Sequence, residues 1–129
     1  MRKQFTNQEI LSYAESLSKT FLDSEKDIEL PIKINFYLQK NIKSFIEAAQ
    51  EIDESRLAIG EKYGEYNFEE ECYEIKDKEK RILAQRDLKN LLSLDQVLEI
   101  YTISLNDLEE NTQLTVAQMN AMLFMIDEN

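Results

Sequence analysis

The chain has 129 residues, 43% of them hydrophobic, with 26 acidic against 15 basic side chains and a net charge of −11. That length suits one domain, or one domain with a protruding element, and the apolar content is enough to bury a core despite the charge. Histidine is absent, which removes the usual base near neutral pH, the standard serine and cysteine nucleophilic arrangements and the commonest zinc ligand.

Taken in order, Met1-Arg2-Lys3-Gln4 leads into polar residues and not into an apolar signal segment. Thr6-Asn7-Gln8-Glu9 fits a capping box, with Thr6 as N-cap and Glu9 at the third helical position. Ile10, Tyr13, Ala14, Leu17 and Phe21 continue as a helical stripe that ends near Asp23. Asp23 to Asp27 reads as a polar connection. Ile28, Leu30, Ile32 and Ile34 alternate, so they suit an extended approach to the next helix; a short strand is the other reading, and Pro31 argues against a central one.

From Pro31 to about Gly64 the spacing predicts one long helix, the element around which the chain is organised. Its stripe is Leu38, Ile42, Phe45, Ala49, Ile52, Arg56, Ile59, Tyr63 and Tyr66. Pro31 suits a first helical turn, and Gly60 and Gly64, the only glycines, mark the end. Glu47, Glu51 and Glu54 lie off the stripe as a solvated face, with Lys43 placed to pair with Glu47. Arg56 snorkels at the stripe's edge or pairs with a carboxylate.

Residues 65–74 are open between a helix continuation, a tight turn and a short strand. The mixed-charge run Lys76 to Arg81 precedes a second amphipathic helix starting near Asp77. Its apolar side is Ile82, Leu83, Ala84, Leu88, Leu91 and Leu92, and Ser93-Leu94-Asp95 closes it. Val97 to Ile103 is the best strand candidate, with Cys72 to Ile75 as its expected partner. Ser104 to Asp107 can cap a short turn or helix. Thr115 to Gln118 forms another capping box, after which Met119, Met122, Leu123 and Ile126 line a last helix, widened by Met125. The expected fold is mainly α with a small β element: a helical bundle or hairpin built around one long helix, with a two-stranded β element, in one acidic domain spanning residues 1–129.

Chemistry has few footholds here. Cys72 sits among Glu69, Glu70, Glu71 and Glu74, a poor setting for a nucleophile. Two glycines cannot build a phosphate loop. The acids Glu65, Glu69, Glu70, Glu71, Glu74 and Asp77 match no metal-ligand loop and read as a solvated turn. No catalytic residue, cofactor or metal is expected, and the chain is read as a non-enzyme. Beyond Lys89 there is no lysine or arginine, while Asp95, Glu99, Asp107, Glu109, Glu110, Asp127 and Glu128 remain. Direct nucleic-acid binding and a membrane partner are therefore disfavoured, and a basic protein surface is favoured. The candidate partner-binding residues are Glu65, Glu69, Glu70, Glu71, Glu74, Asp107, Glu109 and Glu110, with Met119, Met122 and Met125 as an adaptable apolar face beside their plainer role in a core. The long stripe also allows a homodimer.

Three stretches carry a resemblance: Leu30-Pro31-Ile32-Lys33-Ile34-Asn35-Phe36 running towards Lys62-Tyr63-Gly64; Tyr73 to Arg81 ahead of Leu91-Leu92; and Leu114 to Met119 followed by Phe124-Met125-Ile126. Together they resemble small conserved proteins of unknown function from tailed phages and prophages of low-GC Gram-positive bacteria. The resemblance implies the cytoplasm of an infected or lysogenic host and a host or phage protein as partner. It supplies no catalytic residue. The expected function is thus an accessory protein acting by protein–protein binding. The alternatives are an acidic nucleic-acid mimic that inhibits a host DNA-binding or defence enzyme, and a small structural or assembly component of the virion.

Overall fold

A computed structural model describes residues 1–23, 30–109 and 114–127. The fold is mainly helical, with short two-stranded β elements around one long helix. Strand β1 (Arg2–Thr6) runs into α1 (Asn7–Leu17), and the capping box at their junction forms: the Glu9 N–H donates to Thr6 Oγ1, and the Thr6 N–H donates to Glu9 Oε1. A widened turn over Ser18–Leu22 ends α1, closed by the Asp23 N–H on the Ser18 carbonyl.

The long helix α2 (Ile32–Tyr63) has 32 residues, a length of about 48 Å. Pro31 is its N-cap, one residue earlier than a first-turn position, and the Pro31 carbonyl accepts the first helical bond from the Asn35 N–H. Ile32 and Ile34 are helical, which corrects both the extended approach and the strand; their alternation is equally a piece of helical spacing once Pro31 has set the start. Ile28 and the connection after Asp23 lie outside the described residues. Ile34, Leu38, Ile42, Phe45, Ala48 and Ile52 are buried, whereas Ala49 is only partly covered. Arg56 is exposed and pairs with Asp53 at 3.2 Å.

At the C-terminal end of α2 the chain turns into the hairpin β2 (Glu65–Asn67) and β3 (Cys72–Glu74), which pair with each other. Tyr66 therefore belongs to a strand and not to the α2 stripe. Helix α3 (Lys78–Ser93) returns along α2 with Asp77 as N-cap. Next, β4 (Asp95–Glu99) pairs antiparallel with β1, placing Phe5 opposite Gln96. This corrects the expected strand twice: it stops at Glu99, and its partner is Arg2–Thr6, not Cys72 to Ile75. Charged, short β1 buries only Phe5, so it carries little strand signal of its own. After β4, β5 (Ile103–Ser104) leads into α4 (Leu105–Glu109), with Ser104 and Asp107 bonding reciprocally. The expected capping box at Thr115 starts α5 (Val116–Met122), a tight turn follows over Leu123–Met125, and β6 (Ile126–Asp127) pairs parallel with β5.

The core lies at one end of the molecule, between α1, the first half of α2 and the C-terminal segments. Phe45 is its centre, with ring contacts to Phe5 at 5.3 Å, Tyr13 at 5.3 Å and Phe124 at 5.1 Å. Two asparagines are buried within it. The Asn41 side-chain amide donates to the Tyr101 carbonyl and accepts from the Tyr101 N–H, each at 2.9 Å, pinning the chain after β4 to α2. Asn7 donates to the Leu91 carbonyl at 2.8 Å and accepts from Gln96 Nε2 at 2.7 Å, joining α1 to the α3–β4 junction. Each buried amide is thus satisfied, as burial requires. Met122 and Met125 are 0% exposed and Met119 is partly buried; the three methionines pack into the core and do not form the adaptable surface that was their alternative.

Candidate functional site

The second half of α2, the β2–β3 hairpin and the first half of α3 form an arm that leaves the core. Beyond Ile52 no residue of α2 is buried, and on α3 only Ala84 is. Two glycines seat the hairpin on α2. A Cβ on Gly60 would stand 3.0 Å from the Tyr73 Cβ, and one on Gly64 would stand 2.7 Å from the Glu74 carbonyl oxygen. Neither glycine has a positive φ; closeness of approach is what calls for them here.

Asn67 shapes the turn at the tip. Its Oδ1 accepts from the N–H groups of Glu69 at 2.9 Å and Glu70 at 3.2 Å, and its Nδ2 donates to Glu74 Oε1 at 2.8 Å. Glu71 closes the turn with φ 53°, the left-handed conformation that favours glycine. On the same hairpin Tyr66 packs edge-on against Phe68 at 5.0 Å and Tyr73 at 5.2 Å. Phe68 is nevertheless 85% exposed. The Tyr73 hydroxyl donates to Glu61 Oε1 at 3.3 Å, and desolvation followed by the Glu61 charge raises its pKa.

Of the candidate acids, Glu69, Glu70 and Glu71 share the turn at this aromatic tip and are exposed; Glu65 is exposed at the base of the hairpin, opposite Glu74, which is half-buried and bonded to Asn67. Asp107 is not among them. It meets Lys33 at 3.6 Å, near the start of α2, and Lys33 is about 40 Å along the helix from Gly60. Its carboxyl lies below the ordinary range because the Ser104 N–H and hydroxyl donate to it and Lys33 stands beside it. Glu109 ends α4 and is likewise at that far end; Glu110 lies outside the described residues. Cys72 is exposed on β3.

Sequence reasoning found the acids and missed the aromatics that organise them. The signal was present: Tyr66, Phe68 and Tyr73 flank an Asn-led turn, a pattern that suits a hairpin. Among the described residues no cluster of three or more acid or thiol groups is arranged to hold a metal ion, and no helix is long and apolar enough to cross a membrane. No family model, curated protein or solved structure matches the chain.

Proposed function

We propose that this is a non-enzymatic binding protein that engages another protein through the tip of its arm. The observation that carries the reading is Phe68: an aromatic ring 85% exposed, steadied by Tyr66 and followed in the same turn by the exposed Glu69, Glu70 and Glu71. An exposed aromatic costs solvation in the free protein and makes an effective anchor in a partner's pocket. The surrounding carboxylates suit a pocket with a basic rim, which they would also steer towards the tip. Glu71 strengthens the reading, because a carboxylate occupies a backbone conformation that glycine would adopt more easily. The resemblance to phage and prophage proteins points to a host or phage protein as the partner.

Photo-crosslinking tests this. A benzophenone side chain replaces Phe68 in one preparation and Val116, 79% exposed at the other end of the molecule, in a second. Each is irradiated in lysate of a Gram-positive host with and without phage. A protein crosslinked from position 68, absent from position 116 and lost on Glu69→Lys with Glu70→Lys, is the expected outcome. Identical adducts from both positions, or none from position 68, refute it.

A further inference from the structure

A second surface of the arm has the opposite charge. Between α2, β3 and α3 lies a groove of about 380 Å³ lined by Arg56, Ile59, Tyr73, Ile75, Arg81 and Leu88, among others. A neighbouring groove of about 370 Å³ continues towards α1 past Lys89 and Leu92 to Gln8. The two share Gln85 and Leu88, so they adjoin along α3 as a two-part channel, the first part against α2 and β3 and the second against α1. Arg81, Gln85, Leu88 and Leu92 succeed one another at helical spacing on one face of α3, a span of about 16 Å, or three turns.

Two properties of this channel identify its occupant. The floor of its first part is apolar and lies between the antiparallel α2 and α3, which bury almost nothing beyond Ile52, so there the arm is two thirds of a three-helix bundle. Its charged lining residues are Arg56, Arg81 and Lys89, with no carboxylate, in a chain of 26 acids and 15 bases. Arg56 shares its charge with Asp53; among the described residues Arg81 and Lys89 have no ion-pair partner. We propose that the channel docks an acidic amphipathic helix of a partner protein, its apolar stripe on Ile59, Ile75 and Leu88 and its carboxylates on Arg81 and Lys89. This is the helix-in-groove mode of recognition, on a face separate from the aromatic tip and with a partner segment of the opposite charge from the tip's.

The test displays a random library of peptides of about 16 residues, about 24 Å as helices, and selects on the wild-type protein. Recovered peptides are titrated against wild type, Gln85→Trp, which fills the channel from an exposed position, Arg81→Glu, and Phe68→Ala. Circular dichroism checks that each variant melts as wild type does. The proposal expects net-acidic peptides with apolar residues at spacings of three and four, weakened about tenfold or more by Gln85→Trp and by Arg81→Glu, and unaffected by Phe68→Ala. Recovered peptides that are basic, or that bind Gln85→Trp as well as wild type, overturn it. So does sedimentation showing a wild-type dimer that Gln85→Trp dissolves, since a second copy would then fill the channel. Loss of the aromatic tip's partner leaves this result untouched, so the two readings fail separately.

Discussion

The two halves of α2 carry the same kind of sequence and lead different lives. From Ile34 to Ile52 the stripe is covered by α1 and the C-terminal segments, and Leu38, Ile42 and Phe45 are almost fully buried. From Arg56 onward the stripe continues through Ile59 and Tyr63 but meets only α3 and a small hairpin. The periodicity of a helix states which face is apolar; it does not state whether the chain supplies anything to cover that face. The uncovered half is where binding surfaces belong, because side chains there owe little to the fold.

Substitution on each side of Ile52 tests that division. The largest effect is expected at the core: Phe45→Ala removes the ring that joins Phe5, Tyr13 and Phe124 and costs about 3–5 kcal/mol, read as a lower midpoint in urea unfolding. Asn41→Leu follows at about 1–3 kcal/mol, because it leaves the part-buried Tyr101 N–H and carbonyl without their partner; an unchanged midpoint would show that the pin is dispensable. In the arm the same probes should see little. Gly64→Ala drives a Cβ against the Glu74 carbonyl, so hydrogen exchange should speed up in β2 and β3 while α1 keeps its protection. Simultaneous loss of protection in both regions would erase the distinction between arm and core.

The smallest effect is electrostatic. Asp87 lies below its ordinary value of 3.8, chiefly because the Tyr63 hydroxyl donates to it at 2.7 Å, with Lys62 and Arg86 adding their charge and partial burial opposing. A carboxyl depressed in the folded state stabilises above its unfolded pKa, and that contribution fades as pH falls through the folded value. The window is therefore below pH 3.8. Tyr63→Phe should return the Asp87 titration, followed by carboxyl NMR, towards 3.8 and leave that of Asp107 in the core half alone.

Where local chemistry decides, the sequence was legible: both capping boxes, the existence of a long helix after Pro31, the extent of α3 and the solvated Glu47, Glu51 and Glu54 all follow from residue type and spacing. Pairing between distant segments was not. Arg2–Thr6 has one buried residue and no alternation strong enough to announce a strand; it becomes one because Asp95–Glu99 lies beside it. Asn41 reads as one more polar helix residue until the chain at Tyr101 arrives to bond it. At the candidate site the acids were visible as composition, but their grouping depends on Gly60, Gly64 and Asn67 folding residues 65–74 back on themselves. The channel along α3 was hidden for a related reason: Leu88 and Leu92 are spaced like core residues, and only the helices' mutual placement leaves them half open.

The way the core is closed separates contacts that are local in the chain from contacts that are distant. Arm contacts join residues near one another in the chain, such as Tyr63 with Asp87. Phe45 and Leu38 are covered by Ile100, Phe124 and Met125, which lie far from them along the chain. Distant contacts of this kind slow folding and leave apolar surface open in the interval. A refolding chain with its arm formed and its core still open would expose the apolar stripe of the first half of α2, surface open to aggregation.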